Sequence, residues 1–154
     1  MLWSTLFSLT NLVAVIGWAA LLLLPRRPLT HSFILYACVG LLSLTYLLLL
    51  VALVAKLVDP GVTAAASAPF DYRDYTIGGL RKLFGTDAGV VIGWTHYLAF
   101  DLFVGLWISR DADAKGFSRF AQAPILLLTF LAGPIGLVLW LAIRERRARS
   151  AARQ

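Results

Sequence analysis

Four long stretches of this chain are almost free of charge, and such stretches leave few folds open. Leu2 to Leu24 contains no charged residue, and Ser32 to Ala55 is Leu-rich and closed by Lys56. Ala88 to Ser109 holds one ionisable pair, and Ala123 to Ile143 ends at the run Arg144-Glu145-Arg146-Arg147. A helical span needs about 20 mostly apolar residues, because the hydrocarbon layer is roughly 30 Å thick and a helix rises about 1.5 Å per residue. Each stretch meets that length. Composition agrees: 60% of the 154 residues are hydrophobic and only 14% are charged, whereas soluble domains carry about 25% charged residues. The expected fold is all-α, a polytopic membrane protein with four transmembrane helices and a short interfacial helix between helices 2 and 3. It is read as one domain over residues 1–154, with spans at about 2–24, 32–55, 88–109 and 123–143 and a basic tail at 144–154.

A β-barrel does not fit, because Leu21 to Leu24 and Leu47 to Val51 are apolar on every face, while barrel strands alternate apolar and polar residues. The first stretch reads as a retained anchor and not a cleaved signal. It lacks a basic leader, is too long, and is followed by Pro25-Arg26-Arg27-Pro28 where a signal would have small residues.

Four crossings put the N-terminus, the second connection and the tail on one side. That side carries Lys56, Arg73, Arg81, Lys82, Arg144, Arg146, Arg147, Arg149 and Arg153, nine basic residues; the other carries Arg26, Arg27, Arg110, Lys115 and Arg119, five. Basic residues collect on the cytoplasmic side, so both termini are expected there. The Arg/Ala-rich tail suggests a bacterial inner membrane.

The net charge of +6 is better explained by topology and by anionic headgroups gripped by the tail than by nucleic acid, for which there is no recognisable motif. Cys38 reads as a small packing residue. Two histidines, His31 and His96, with one cysteine on different segments make no metal-ligand spacing, and no phosphate loop or dinucleotide turn is present. No metal and no cofactor are expected.

The second connection, about thirty residues in span, is longer than usual in helical bundles. Asp59-Pro60-Gly61 reads as a turn, Ala64 to Pro69 as a loop of small residues, and Phe70 to Tyr75 as an aromatic-acidic patch. Ile77, Leu80, Leu83 and Phe84 share a helical face opposite Arg81 and Lys82, as in a short helix lying in the headgroups. Such a helix is either a tether that seals the bundle or a lid over a lipidic ligand. Asp87 would cap the third span.

The third span carries the chemistry. A carboxyl at the centre of a span costs about 2.5 to 3.5 kcal/mol on insertion scales, so Asp101 needs a partner, a cavity or a proton. Trp94, Tyr97 and Gly105 lie on its face, at offsets of seven, four and four residues. His96 points roughly 140° away and lies about 7.5 Å lower, so the two are not direct partners. Asn11, Ser43, Thr45, Tyr46 and Thr129 are candidate polar neighbours on other helices, and a purely structural role for both His96 and Asp101 stays open. Trp94 and Trp107 sit where aromatic belts are expected. In the fourth span Pro124 stands at the start and Gly133-Pro134-Ile135-Gly136 in the middle, which predicts a kink there with close helix approach.

The string Gly93-Trp94-Thr95-His96-Tyr97-Leu98-Ala99-Phe100-Asp101-Leu102-Phe103, followed by Pro124 and by Thr129 to Gly136, resembles the abscisic-acid-deficient-4-like membrane protein family. Asn11, Trp18, Pro25 and Gly78-Gly79-Leu80 extend the likeness over nearly the whole chain. The resemblance implies a membrane protein that acts on, or helps another act on, a xanthophyll-like isoprenoid. Plant members are linked to neoxanthin formation, an isomerisation of violaxanthin in which an epoxide opens while a neighbouring carbon loses a proton. That chemistry needs an acid and a base and no redox cofactor.

On this reading His96, Tyr97 and Asp101 are the candidate catalytic residues, with Asp101 or Tyr97 as acid. His96 serves as base, or orients substrate beside a base from another helix. Asn11, Trp94, Phe100 and Pro134 are the candidate substrate contacts. Expected partners are a carotenoid or other isoprenoid ligand and membrane lipids, with a homo-oligomer open. The alternative is a non-enzymatic scaffold or lipid-binding subunit, whose bundle would be filled and whose polar residues would bond to neighbours. A proton pathway is a third, shorter-reaching idea.

Overall fold

A computed structural model describes residues 2–61 and 74–151, with side chains as far as Glu145. Its elements are α1 (Leu2–Leu23), α2 (Pro28–Ser32), a π-helical stretch (Phe33–Val39), α3 (Gly40–Val54), α4 (Ile77–Phe84), α5 (Asp87–Ala114) and α6 (Arg119–Ala151). Among the described residues four helical segments are long and apolar enough to cross a membrane: Leu2–Leu23, Pro28–Val54, Asp87–Ala114 and Arg119–Glu145. Large apolar side chains such as Leu12, Val15, Leu44, Leu48, Phe103 and Val138 point outward along them, where lipid and not water is the fitting solvent. The protein is all-α and integral to a membrane.

Element ends depart from the hydropathy reading for local reasons. The second segment starts at Pro28, since proline fits a first turn whose N–H would be unbonded anyway. The third starts one residue before the expected span, and its cap is Thr86, whose hydroxyl accepts from the Gly89 N–H at 3.0 Å. Asp87, expected as that cap, is instead the first helical residue, where its charge meets the positive end of the helix. The loop Ala64 to Pro69 and the patch residues Phe70 to Arg73 lie outside the described residues.

Contacts divide the chain into two compact units, Met1–Ala14 with Gly40–Ala99 and Val15–Val39 with Phe100–Gln154. In the first, Trp3, Leu53, Ala88, Val91 and Ile92 form the buried cluster. The Trp3 indole donates to the Asp59 carbonyl at 3.0 Å, and the Asp87 and Ala88 amides donate to the carbonyls of Gly61 and Pro60, both at 3.0 Å. These bonds tie the start of α1 and the end of α3 to the start of α5. α4 lies against α5 where α5 has no side chains: a Cβ added at Gly89 would come 2.6 Å from the Leu83 carbonyl carbon, and one at Gly93 would come 2.5 Å from the Phe84 ring.

In the second unit, α1 and α5 meet through Gly105. A Cβ there would stand 2.8 Å from Cζ3 of the buried Trp18 indole. α6 supplies the main surprise. Its backbone leaves helical geometry at Ala132 (φ −152°, ψ 50°) and Gly133 (φ 1°, ψ −74°), and the chain beyond does not continue in the same direction. The Phe117 and Trp140 rings are 5.0 Å apart between centroids. The Trp140 indole donates to Asp111 at 3.0 Å, and Arg144 donates twice to the same carboxylate, at 2.8 and 3.1 Å. A Cβ on Gly136 would come 2.5 Å from the Thr129 backbone nitrogen. The expected kink is therefore a full reversal into two antiparallel limbs. The start of the tail, expected across the membrane from the third connection, lies beside it at Asp111.

Candidate functional site

The first unit contains a pocket of about 400 Å³ whose walls come from three places. α3 gives Tyr46, Leu50, Leu53 and Val54; the chain around α4 gives Tyr75, Leu83 and Phe84; α5 gives Gly89, Ile92, Gly93 and His96. The apolar walls follow from the Leu-rich α3. The cavity itself follows from Gly89 and Gly93, which keep the wall of α5 bare and let α4 lie across it. Among the described residues, Tyr46, Tyr75 and His96 bring polar side chains to the lining. The Tyr46 and His96 rings face each other at 5.4 Å between centroids, tilted by 55°. A mainly apolar pocket with a few convergent polar groups is the usual form of a small-molecule site, and its size is within the common range of about 300–1,000 Å³.

A second hollow of about 450 Å³ is lined by Phe7, Phe84, Val90, Gly93, Trp94 and Tyr97. Trp94 stacks on Tyr97 at 5.2 Å and meets Phe7 at 6.0 Å. Its indole donates to Asn11 Oδ1 at 3.1 Å, while the Asn11 amide donates to the Phe7 carbonyl at 2.7 Å. Asn11 therefore fixes the plane of an aromatic wall. Phe84 and Gly93 belong to both linings, so the half-exposed Phe84 ring resting on Gly93 borders both hollows.

α4 depends on its cap. The Thr76 hydroxyl accepts from the Gly79 N–H at 3.1 Å, and Asp74 accepts from the Thr76 hydroxyl at 2.5 Å and from the Thr76 N–H at 3.0 Å. The hydroxyl bond, then the amide bond, hold the Asp74 carboxyl below its ordinary value, with Lys82 adding a smaller pull.

The residues singled out in the sequence divide between the units. His96 lines the first pocket, and Tyr97 and Trp94 line the second hollow with Asn11 behind them. Asp101, Phe100 and Pro134 belong to the second unit. There a Cβ added to Gly133 would stand 2.8 Å from the Asp101 carboxyl carbon, so the carboxyl rests on the reversal of α6. Phe100 is exposed, and Pro134 opens the second limb. Sequence reasoning missed Tyr75 and Phe84 as lining residues and named Tyr46 only among several polar neighbours. The pair Gly89 and Gly93, four apart on one helical face, is the small-residue spacing that marks a close helix approach, and it was the available signal.

A family model described as ABA DEFICIENT 4-like matches residues 5–140. Neither curated proteins nor solved structures give a significant match.

Proposed function

Because the chain belongs to the ABA DEFICIENT 4-like family, we propose that it is a bacterial inner-membrane protein that binds a carotenoid or related isoprenoid along the two hollows beside Phe84 and isomerises it. The observation that carries this reading is the facing pair Tyr46 and His96 in an otherwise apolar pocket. An isoprenoid needs long apolar walls for its chain and a small polar patch for its oxygenated end. The aromatic hollow of Phe7, Trp94 and Tyr97 suits the chain, and the Tyr46 and His96 pair suits the oxygen.

The proposed chemistry is proton-balanced. A phenol donates a proton to an epoxide oxygen as its C–O bond breaks, and an imidazole takes one from the neighbouring carbon, so the product is an isomer and no electrons are exchanged. Tyr46 fits the donor role and His96 the acceptor role. Asp101, the other acid considered, is engaged at the reversal of α6. Positioned acid–base groups contribute about 10²–10⁴-fold in rate. In liposomes supplied with an epoxy-carotenoid and analysed by chromatography, Tyr46→Phe and His96→Ala should each lower turnover by at least about 100-fold while the pigment stays bound. Wild-type turnover in both variants overturns the assignment, and bound pigment without turnover in the native protein marks a binding subunit instead.

A further inference from the structure

We infer that α6 enters and leaves the membrane on one side, so that the chain crosses three times, with its basic tail in the cytoplasm and the second connection outside. A straight helix would hold Trp140 roughly 30 Å from Arg119 along its axis, yet the Trp140 ring packs on Phe117, two residues before Arg119. α5 acts as a ruler for both limbs. From Asp101 to Asp111 is about 15 Å of helix, and from Gly133 to Arg144 is about 16 Å; contacts join Gly133 to Asp101 at one end and Arg144 to Asp111 at the other. The descending limb keeps the same register, since Gln122 donates to Asp113 at 3.4 Å. Its length, Arg119 to Leu131, is about 20 Å, too short to cross roughly 30 Å of hydrocarbon.

A broken backbone at that depth is tolerated only where protein covers it. Here the Asp101 carboxyl lies on Gly133, where the second limb starts. Pro134, the next residue, has no N–H to leave unbonded at the start of a helix.

The turn at residues 115–118 shares its end of the unit with the first connection. Arg26 pairs with Asp113, and Arg119 donates to the carbonyls of Leu22 and Leu24 at 3.1 and 2.7 Å. With α6 returning there, the first connection, the third connection and the start of the tail at Arg144 lie together; in sequence these three segments hold ten of the 14 basic residues, and the second connection holds Lys56, Arg73, Arg81 and Lys82. The asymmetry is wider than the nine against five of a four-crossing chain, and it places the ten in the cytoplasm. On this inference the tail lies in the cytoplasm and the N-terminus outside, which differs from the expectation of both termini in the cytoplasm.

The test uses single cysteines at Leu57, Ser118 and Gln154, with a membrane-impermeant maleimide on intact bacterial cells. The native Cys38 is buried and gives the unlabelled background. Leu57→Cys should react in intact cells, while Ser118→Cys and Gln154→Cys should react only after the membrane is opened. If Gln154→Cys follows Leu57→Cys and opposes Ser118→Cys, α6 crosses and the inference fails. If all three react in the reversed sense, the hairpin stands and the cytoplasmic assignment fails. A fluorescent protein fused after Gln154, which matures only in the cytoplasm, gives a second reading: bright fusions agree with the inference, and dark, full-length fusions contradict it.

Discussion

Asp101 and Gly133 meet where the backbone of α6 reverses. The carboxyl occupies the space a Cβ at residue 133 would need, at 2.8 Å from Cγ and 2.9 Å from Oδ2. Gly133→Ala should therefore destabilise the detergent-solubilised protein by about 1–3 kcal/mol, the range for overpacking. Paired with Asp101→Ala, the two changes should show a coupling of about 0.5–3 kcal/mol in thermal unfolding; strict additivity would mean that the carboxyl does not support the reversal. Tyr46 and His96 work differently, since their rings meet in a pocket and their loss should be felt in turnover before stability.

At the scale of elements, α4 is sensitive to small changes. It is eight residues long, short enough that a single cap matters. Thr76→Ala should cost about 1 kcal/mol, read as faster amide exchange at Gly79 and Leu80. Asp74 adds a pH dependence of known sign. Its carboxyl is held below the ordinary value by Thr76, so its support for the cap is present above the unfolded-state value and disappears as pH falls through the lowered one. Exchange at Gly79, corrected for intrinsic rate, should rise at the acid end of that window, and Asp74→Asn should remove the rise.

The second limb of α6 depends on Asp111, which receives Lys115 at 2.6 Å besides Trp140 and Arg144; Arg144 also lies over the Trp107 ring at 5.6 Å. Asp111→Ala leaves these cations facing one another. It should destabilise by about 1–3 kcal/mol, as loss of one partner of a partly buried, hydrogen-bonded charge cluster does, and should expose the limb to proteolysis. Unchanged cleavage would show that the limb is held by packing alone.

At the scale of the whole molecule, charge-free length made the apolar segments legible to within a few residues. What hydropathy cannot separate is one span from two short limbs, because both read as an uncharged run and differ only in backbone direction at Ala132 and Gly133. The need of Asp101 for a partner was also legible. Gly133 also lies against that carboxyl, a contact that hydropathy and polar spacing do not reveal. His96 was found because a histidine within a span is rare, while Phe84 and Tyr75 emerge only once α4 docks on Gly89 and Gly93. Under the three-crossing topology we infer, α5 enters at Asp87 from outside, and the pocket built on its first ten residues falls in the non-cytoplasmic half of the membrane.

The central claim is that this pocket holds an isoprenoid. It is tested most directly by purifying the protein from its native membrane in mild detergent and identifying the extracted ligand by absorption and mass, alongside Gly93→Leu, whose side chain would press on Phe84 and intrude on both hollows. A near-stoichiometric isoprenoid in the native protein, reduced at least about tenfold in a variant of similar thermal stability, is the predicted result, a loss on the order of 1.4 kcal/mol in binding. Bulk phospholipid alone, or equal pigment in both proteins, would contradict it.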